Sequence, residues 1–472
     1  MAPVKAQYIE TAFPDYQGNP LIEALPRRCS DEQLIEILEN YPTPTTAERM
    51  LDPFDRLDYL SRLDHFIQPL PEYLHLYRAV DRTIRKGYSA KNPLSPTTQN
   101  YLHYPLDTPT KIEPITGYFR PKGCVITVIG ESGAGKTTML EQVLAPFPQI
   151  IDHSDYYTEP LHLRQVVWAK VDCPHDSSVR QLCNNILRQL DELQGFSETK
   201  LGHTIPDLLL QIEARVKSSF LGLLVIDEMQ HLTARKTKGS DSLLKFLHNL
   251  VNNLGIPLLF CGNPPFDELL SKDFKTARRA ESEFYLRMEL LQNDELWEIF
   301  FEELWKLQWT AQVTPSSKAI SDHLHHLSAG NVDMAVRIFR EAQRIVIGSG
   351  AEHLNEQVLD QATAVASQAT ARTLNEMRHS HTAILKRPRK EAAVSQGTIS
   401  PPPAFHKIPG DLTRAQHPEF AEQLQFLKDE IDLTRLVEDP NAIQQAAEQA
   451  DPINELKNKD ILCDDPLLQL GT

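Results

Sequence analysis

Four short strand-like runs recur along the middle of the chain, and the first three are apolar and lead into glycine or polar residues. They cover residues 125–130, 221–226, 256–261 and 284–290, with helix-compatible stretches between them. Uninterrupted apolar runs of this length are typical of strands buried on both faces, as in parallel sheets covered by helices. The pattern predicts an α/β core over residues 113–291, in which strands alternate with helices.

The region before the core is rich in proline but contains helical stretches. Residues 1–112 hold 13 of the 33 prolines, interleaved with helical patterns at Ser30–Glu39 and Pro53–Phe66. Ser30 and Gln33 have the spacing of a capping box, which marks the start of the first of these helices. We therefore expect a mostly helical, irregular N-terminal domain that lies on or beside the core.

The region after the core is predicted to be a helical lid over residues 292–372. Apolar residues recur at helical spacing between Asp294 and Leu307, and Ala329-Gly330-Asn331 has the character of a helix start. The histidines of Asp322–Leu327 lack metal-ligand spacing and fit the same amphipathic pattern. The lid is therefore expected to be built from packed helices and to hold no metal.

The composition changes again after residue 373. A basic cluster at Lys386–Lys390 is followed by three consecutive prolines, which no helix can continue, and then by an acidic stretch. We expect residues 373–472 to be a mostly disordered tail. Two leucine-rich stretches, Phe420–Leu436 and the terminal Leu467–Leu470, are candidate partner-binding segments, although generic disorder explains them equally well.

The first of the four runs leads directly into a phosphate-binding loop. Gly130, Gly135, Lys136 and Thr137 fill every fixed position of the G-x-x-x-x-G-K-[ST] pattern. Glycines allow the backbone to aim successive N–H groups at phosphate oxygens, the lysine reaches the β and γ phosphates, and the threonine hydroxyl is a Mg²⁺ ligand. The sequence predicts ATP and Mg²⁺ as ligands, held by Gly130, Glu131, Ser132, Gly133, Ala134, Gly135, Lys136, Thr137 and Thr138.

Two adjacent carboxylates follow the second run. Asp227 is placed to complete the Mg²⁺ shell, and Glu228 is placed to orient and deprotonate an attacking water. A second acid is not needed for phosphate transfer to a small molecule, so the pair predicts a Mg²⁺-dependent ATPase that forms ADP and phosphate. The alternative is an ordinary solvated strand end.

The two remaining runs add an amide and a pair of cations. Asn263 follows the third run at the position where an amide helps to place the attacking water, although asparagine is also a common turn residue. Arg278 and Arg279 precede the fourth run. One of them is a candidate to reach the γ phosphate of a neighbouring subunit and stabilise transition-state charge. The alternative for this pair is an ordinary basic surface.

The four strand-end motifs together resemble those of AAA+ P-loop ATPases. Two segments before the core, Tyr16–Pro26 and Ile84–Pro93, are further similar to segments that precede the ATPase core in the TnsC family of transposition regulators. This family is close to TniB and more distantly related to the phage Mu B protein. The resemblance covers residues 10–370, and it implies an AAA+ core with a parallel sheet and a helical lid.

The resemblance to TnsC also implies a function. It leads us to expect a ring or filament of this protein on double-stranded DNA, formed with ATP. Such an assembly would receive a signal from a TniQ- or TnsD-type target selector at the N-terminal domain. It would then recruit and activate the TnsA and TnsB transposase subunits through the tail. A nucleotide-gated DNA scaffold with little hydrolysis, and a replication-initiator or clamp-loader type of ATPase, remain alternatives.

One position departs from the AAA+ pattern. After Gly330-Asn331-Val332, the second-sensor position usually holds arginine, but Asp333 stands there in this chain. Arg337 lies one helical turn further on the same face and is a possible substitute. The role stays unassigned, and we expect the coupling between lid and nucleotide to be unusual.

The net charge of −16 does not exclude DNA binding, because 14 acidic and only 6 basic side chains lie beyond residue 395. What matters is a local basic surface that displaces counterions from phosphate. The resemblance to TnsC implies backbone contacts from a basic residue, Arg180, and from Thr199 and Lys200. Arg180 is equally well explained as an exposed helix residue. Contacts this sparse predict little reading of base sequence.

Two further local patterns precede Arg180. Residues 152–157 mix acidic and aromatic side chains and predict a loop, and residues 166–171 predict a single strand. The six cysteines show no C-x-x-C pairing and are expected to be reduced thiols. There is neither a signal peptide nor an apolar run long enough to span a membrane. We therefore expect a cytoplasmic protein with no membrane partner, and the TnsC resemblance implies a bacterial source.

Overall fold

The computed structural model describes residues 2–96, 98, 124–175, 178–197, 200–232, 256–266 and 283–367. The strands are β1 Val4–Lys5, β2 Val125–Gly130, β3 Ile150–Tyr156, β4 Glu159–Val166, β5 Trp168–Asp172, β6 Leu223–Asp227, β7 Leu258–Gly262 and β8 Phe284–Met288. The helices are α1 Pro20–Glu23, α2 Asp31–Leu38, α3 Thr46–Arg49, α4 Pro53–Tyr59, α5 Pro71–Ser89, α6 Lys136–Leu144, α7 Val179–Gln194, α8 Ile205–Ser219, α9 Glu295–Trp305, α10 Lys318–Ser328, α11 Val332–Val346 and α12 Glu356–Ala366. Short 3₁₀ turns lie at Pro14–Tyr16, Leu60–His65 and Met229–Leu232.

The central sheet has five strands in the spatial order β5-β6-β7-β2-β8, and every neighbouring pair is parallel. The predicted α/β core with a parallel sheet is therefore confirmed. Strand β7 lies between β2 and β6, so the segments that follow these three strands meet side by side at the carboxyl edge of the sheet. Ligand sites in open parallel sheets form at this edge.

The two faces of the sheet bury two separate apolar clusters. Side chains alternate between opposite faces of a strand, so neighbouring residues of one run belong to different clusters. Val128 and Val225 pack on the face covered by α5, α6 and the lid, whereas Ile129 and Ile226 pack on the face covered by α7 and α8. These side chains are almost fully buried. Burial of each of these side chains stabilises the fold by about 1.5–3 kcal/mol.

The N-terminal region is packed against the amino edge of the sheet, opposite the strand ends that carry the motifs. The hydroxyl of Tyr88 on α5 donates to the Val166 carbonyl at 3.3 Å, and Gly222 lies so close that a Cβ there would be 2.5 Å from this hydroxyl. A Cβ at Gly87 would similarly lie 3.0 Å from the Pro257 ring. Helix α5 therefore closes the end of the sheet at which β6 and β7 begin.

The sequence predictions for the N-terminal helices are largely confirmed. Helix α2 begins after Ser30, which forms the predicted capping box with Gln33. The second predicted helix, over residues 53–66, divides into α4 and a 3₁₀ turn that starts at Leu60.

Residues 150–166 differ from the sequence prediction. They form the antiparallel hairpin β3–β4, to which β1 adds a parallel strand, so the loop predicted over 152–157 is wrong. The buried ring of His153 explains the difference, because its two nitrogens contact the Tyr8 hydroxyl at 2.8 Å and Gln165 at 2.9 Å. The strand predicted over 166–171 is also divided, since β4 ends at Val166 and β5 starts at Trp168 in a different sheet.

The lid consists of α9 to α12, as the helical spacing predicts. Asn331 begins α11, where its side chain accepts the N–H of Met334 at 3.0 Å. Backbone contacts divide the chain into two units, residues 1–386 and 387–472. All described residues belong to the first unit, so the predictions for the tail over 373–472 lie outside them, and the boundaries at 112/113 and 291/292 stay predictions. Among the described helices, none is long and apolar enough to cross a bilayer.

Candidate nucleotide site

The loop between β2 and α6 has the backbone conformation of an anion cradle. Gly133 and Gly135 have φ values of +80° and +88°, a region that residues with a Cβ rarely enter. Gly135 occupies the N-cap position of α6, where the helix leaves its first backbone N–H groups without partners inside the helix. These N–H groups and the positive end of the helix dipole make this loop suited to phosphate.

The predicted phosphate-binding lysine lies inside this loop. Lys136 is only 8% exposed, and its ammonium group donates to the carbonyl of Glu131 at 2.8 Å. Burial lowers the pKa of Lys136, and the nearby acidic groups raise it by less. An anionic ligand would favour the charged form of this buried ammonium group.

A cavity of about 220 Å³ opens beside the loop at the carboxyl edge of the sheet. It is lined by residues of all three adjacent strand ends and by one residue of the lid. The lining residues are Ser132, Gly133, Gly135, Lys136, Thr137, Thr138, Asp227, Glu228, Gln230, Gly262, Asn263 and Asp333. The structure therefore brings together the predicted loop, the two carboxylates and the predicted amide.

Asp227 is buried at the end of β6 and is bound on both carboxylate oxygens. One oxygen accepts the N–H of Glu228 at 2.8 Å, and the other pairs with the ammonium group of Lys170 at 3.0 Å. Burial lowers the pKa of Lys170, but the hydrogen bond and charge of Asp227 outweigh it, so the net shift is upward. Burial and Asp227 both raise the pKa of the adjacent Cys261 thiol, which keeps it neutral. The Asp227 carboxylate is therefore held in place by one backbone N–H group and one ammonium group.

Glu228 lies in a conformation that few non-glycine residues adopt, with φ at +58°. Its carboxylate accepts a hydrogen bond from the side-chain amide of Gln230, and the oxygen of that amide accepts the backbone N–H of Asn263 at 3.0 Å. Left-handed backbone of this kind costs about 1–2 kcal/mol and persists only where surrounding contacts hold it. One glutamine therefore connects the residues that follow β6 and β7.

The lid touches the loop directly. The amide nitrogen of Asn331 donates to the Ser132 carbonyl at 3.1 Å, and a Cβ at Gly133 would lie 2.6 Å from the Asn331 amide. Asp333 lines the cavity and is held by both ends of the Arg337 guanidinium at 3.0 Å. Arg337, the possible substitute for the second-sensor arginine, is therefore paired with Asp333, which stands at the second-sensor position.

The other predicted site residues lie away from this cavity or outside the described residues. Arg180 is exposed at the start of α7 and donates to the carbonyls of Gly202 and His203 at 3.0 and 2.7 Å. Lys200 is exposed in the same segment. Thr199, Arg278 and Arg279 lie outside the described residues.

Three side chains at the site were not predicted as site residues from the sequence. They are Lys170, Gln230 and Asn331, of which the last was predicted only as a helix start. Lys170 carried a weak signal, since a lysine inside a buried strand needs a partner. Gln230 contacts Asn263, which is 33 residues away along the chain, and Asn331 contacts Ser132, which is 199 residues away.

The comparisons with known proteins agree with this architecture. Residues 122–270 match the family model of the AAA domain. The sheet order, the loop and the cavity together with this match define an AAA+ P-loop ATPase core, a fold that implies a nucleotide site. No curated protein matches the chain.

Several solved structures are similar to parts of this chain at low sequence identity. Cdc6p from Pyrobaculum aerophilum is 13% identical, with 63% of this chain and 67% of that chain covered and a TM-score of 0.39. The ORC1 protein of Aeropyrum pernix in complex with DNA is 15% identical, with 66% and 69% covered and a TM-score of 0.38. A Walker-type ATPase of Pyrococcus abyssi is 13% identical, with 55% and 72% covered and a TM-score of 0.36.

Proposed function

We propose that this protein is an ATP-hydrolysing AAA+ regulator of DNA transposition. In this proposal it assembles on double-stranded target DNA, receives a signal from a TniQ- or TnsD-type selector, and recruits and activates TnsA and TnsB. The ATPase part rests on the geometry of the site. The transposition part rests on the two N-terminal segments that resemble TnsC.

The convergence of three strand ends on one cavity is the observation that carries the ATPase proposal. Lys136 and the loop N–H groups would bind the phosphates, and Thr137 and Asp227 would hold Mg²⁺. The ion would supply charge neutralisation at the phosphates. Glu228 would take the proton of the attacking water, and Asn263 would help to place that water. Arg278 or Arg279 would act from a neighbouring subunit, so the complete site would form only in an oligomer.

The two segments that carry the TnsC resemblance form one local structure, which supports treating them as one feature. The Asn19 side chain donates to the Tyr88 carbonyl at 2.9 Å, and Asn92 donates to the Gly18 carbonyl at 2.9 Å. Arg85 reaches the carbonyl of Pro26 at 2.5 Å. We propose the N-terminal domain, residues 1–112, as the docking site of the target selector.

Two of the proposed DNA-contact residues, Arg180 and Lys200, belong to segments that are hydrogen-bonded to each other. The guanidinium group of Arg180 holds the carbonyls of Gly202 and His203, in the segment that begins with Lys200. Arg180 and Lys200 would thus face the phosphate backbone together. Thr199 immediately precedes Lys200 in the sequence. Contacts to phosphate fix a protein on DNA without reading its sequence.

The alternatives share the same nucleotide site. A nucleotide-gated DNA scaffold would bind ATP at the cavity but hydrolyse it slowly. A replication initiator or clamp loader would use the same AAA+ core with replication partners in place of transposase. A Glu228→Gln variant separates the regulator from the scaffold. Its assemblies should persist when those of the unmodified protein decay, if turnover limits their lifetime.

Imaging of assemblies tests the central proposal. The protein would be mixed with duplex DNA and with ATP, ADP or no nucleotide, and viewed by negative-stain electron microscopy. We expect rings or filaments with ATP and none with Lys136→Ala, while Lys136→Arg tests the need for the positive charge alone. Monomers under every condition would contradict both the DNA assembly and the arginine supplied in trans. Addition of TnsA, TnsB and donor DNA then distinguishes a transposition regulator from a replication ATPase.

A further inference from the structure

Gln230 is bound at both ends of its side-chain amide. The nitrogen end donates to the carboxylate of Glu228, and the oxygen end accepts the backbone N–H of Asn263 at 3.0 Å. Gln230 belongs to the short 3₁₀ turn that follows β6, and it also lines the nucleotide cavity. A single side chain therefore spans the gap between two strand ends whose polar residues both face the cavity.

The carboxylate of Glu228 needs such a restraint. Its side chain is 46% exposed, so solvent would otherwise leave its rotamers free. The backbone of Glu228 is already fixed, because its N–H donates to Asp227 at 2.8 Å and its carbonyl accepts the N–H of His231 at 3.1 Å. What remains to be fixed is the direction of the carboxylate, and this is the group that Gln230 contacts.

His231 is another described side chain near this carboxylate. Its Nε2 lies 3.8 Å from the Glu228 carboxylate, which is too long for a hydrogen bond. The His231 ring packs instead against His175, with ring centroids 4.0 Å apart. Gln230 is therefore the side chain of these two that is positioned to orient Glu228.

We propose that Gln230 is a positioning residue for ATP hydrolysis, which holds the Glu228 carboxylate in register with Asn263. This inference rests on the proposed ATPase function. A general base works only when it lies within hydrogen-bond reach of the proton it removes, and small displacements reduce the rate strongly. Because Gln230 binds both Glu228 and the backbone N–H of Asn263, it fixes the Glu228 carboxylate relative to the strand end that carries Asn263.

Two substitutions test the hydrogen bonds at the two ends of the Gln230 side-chain amide. Gln230→Glu keeps an oxygen for the Asn263 N–H but replaces the donor to Glu228 with a second acceptor. Gln230→Met removes both hydrogen bonds and keeps the length of the side chain. Gln292→Met is the control, because the Gln292 amide donates to the Leu290 carbonyl at 3.3 Å on the protein surface, outside the residues proposed to bind nucleotide, DNA or partners.

The experiment measures kcat for ATP hydrolysis with DNA, together with the Kd of a fluorescent ATP analogue. We expect Gln230→Glu and Gln230→Met to lower kcat by about 10- to 100-fold, with Kd within about twofold of the unmodified value. Gln292→Met should change neither. In a Glu228→Gln background, Gln230→Met should add little further loss, since residues that act through one another are not additive.

Three results would overturn the proposal in different ways. An unchanged kcat in both Gln230 variants, with Glu228→Gln inactive, would show that Glu228 needs no positioning by Gln230 and would leave the ATPase function intact. A parallel loss of kcat and nucleotide binding would assign Gln230 a purely structural role. An unmodified protein without turnover would overturn the ATPase function together with this inference.

Discussion

Arg56 and Glu352 form a buried, bidentate ion pair between the N-terminal region and the lid. The two nitrogen–oxygen distances are 2.5 and 2.7 Å, and the side chains are 4% and 8% exposed. Glu352 also accepts the backbone N–H groups of Ala311 and Gly348 at 2.6 and 2.8 Å. Every charge-bearing atom of the carboxylate is therefore satisfied, which is the condition under which a buried pair stabilises a fold.

This ion pair predicts a loss of stability in acid. The hydrogen bond from Arg56 lowers the pKa of Glu352 from its ordinary 4.5 to about 2. The folded state therefore binds this proton less readily than the unfolded state, and the stabilisation is present above about pH 4.5 and is lost as the pH falls toward 2. We expect Glu352→Gln to lower stability by about 3 kcal/mol at pH 7.

Thermal melts of both proteins from pH 7 to pH 3 check this prediction. The difference in Tm between the unmodified protein and Glu352→Gln should shrink as the pH falls, because only the unmodified protein loses the ion pair. A difference in Tm that stays the same from pH 7 to pH 3 would contradict this prediction. Lys306→Gln is a suitable control, since Lys306 pairs with Glu303 on an exposed part of α9 and a pair of that kind contributes little.

Asn331 is expected to couple the lid to the nucleotide in place of a second-sensor arginine. It caps α11 and binds the Ser132 carbonyl of the loop. Asn355 provides a matched control, because it caps α12 with the same geometry, accepting the Val358 N–H at 3.0 Å. Alanine at either position should cost about 1 kcal/mol of stability through loss of the cap.

Only Asn331→Ala should change the nucleotide site. We expect a several-fold change in ATP affinity, measured by isothermal titration calorimetry, while Asn355→Ala leaves it unchanged. Equal behaviour of the two variants would mean that the contact between Asn331 and Ser132 has no part in nucleotide binding.

Substitution of Arg180 by lysine tests whether its guanidinium acts by bridging two carbonyls or by contacting phosphate. A guanidinium that bridges two carbonyls cannot be replaced by an ammonium group, whereas a simple phosphate contact tolerates the exchange better. If Arg180 braces the segment that begins with Lys200, then Arg180→Lys should weaken DNA binding as much as Arg180→Ala. Affinities for duplex DNA, measured by fluorescence anisotropy, check this prediction. An Arg180→Lys variant that binds DNA as tightly as the unmodified protein would contradict it.

Lys200 itself is expected to act by charge. Lys200→Ala should weaken binding to all sequences alike and reduce the slope of log K against log salt concentration by about 1. Titrations at several salt concentrations measure the slope. An unchanged slope would remove Lys200 from the DNA contacts.

The strand-end residues were predictable because each motif is local. Gly130, the Asp227–Glu228 pair and Asn263 each come at or just after the end of an apolar run. The sequence therefore predicts which strand end each of them occupies. The parallel arrangement then requires these ends to meet. The contacts of Gln230 and Asn331 were not predictable, because their partners lie on other elements. The hairpin β3–β4 was missed for the same reason, since the residues that satisfy His153 are Tyr8 and Gln165.

The position of α5 bears on how this chain can be divided. The segment that matches the AAA domain, residues 122–270, contains neither α5 nor β8. Excision of that segment would remove one of five strands and uncover the apolar faces that Tyr77, Val80 and Ile84 now cover. The segment that matches the AAA domain is thus shorter than the segment that contains the complete sheet and the helix covering it.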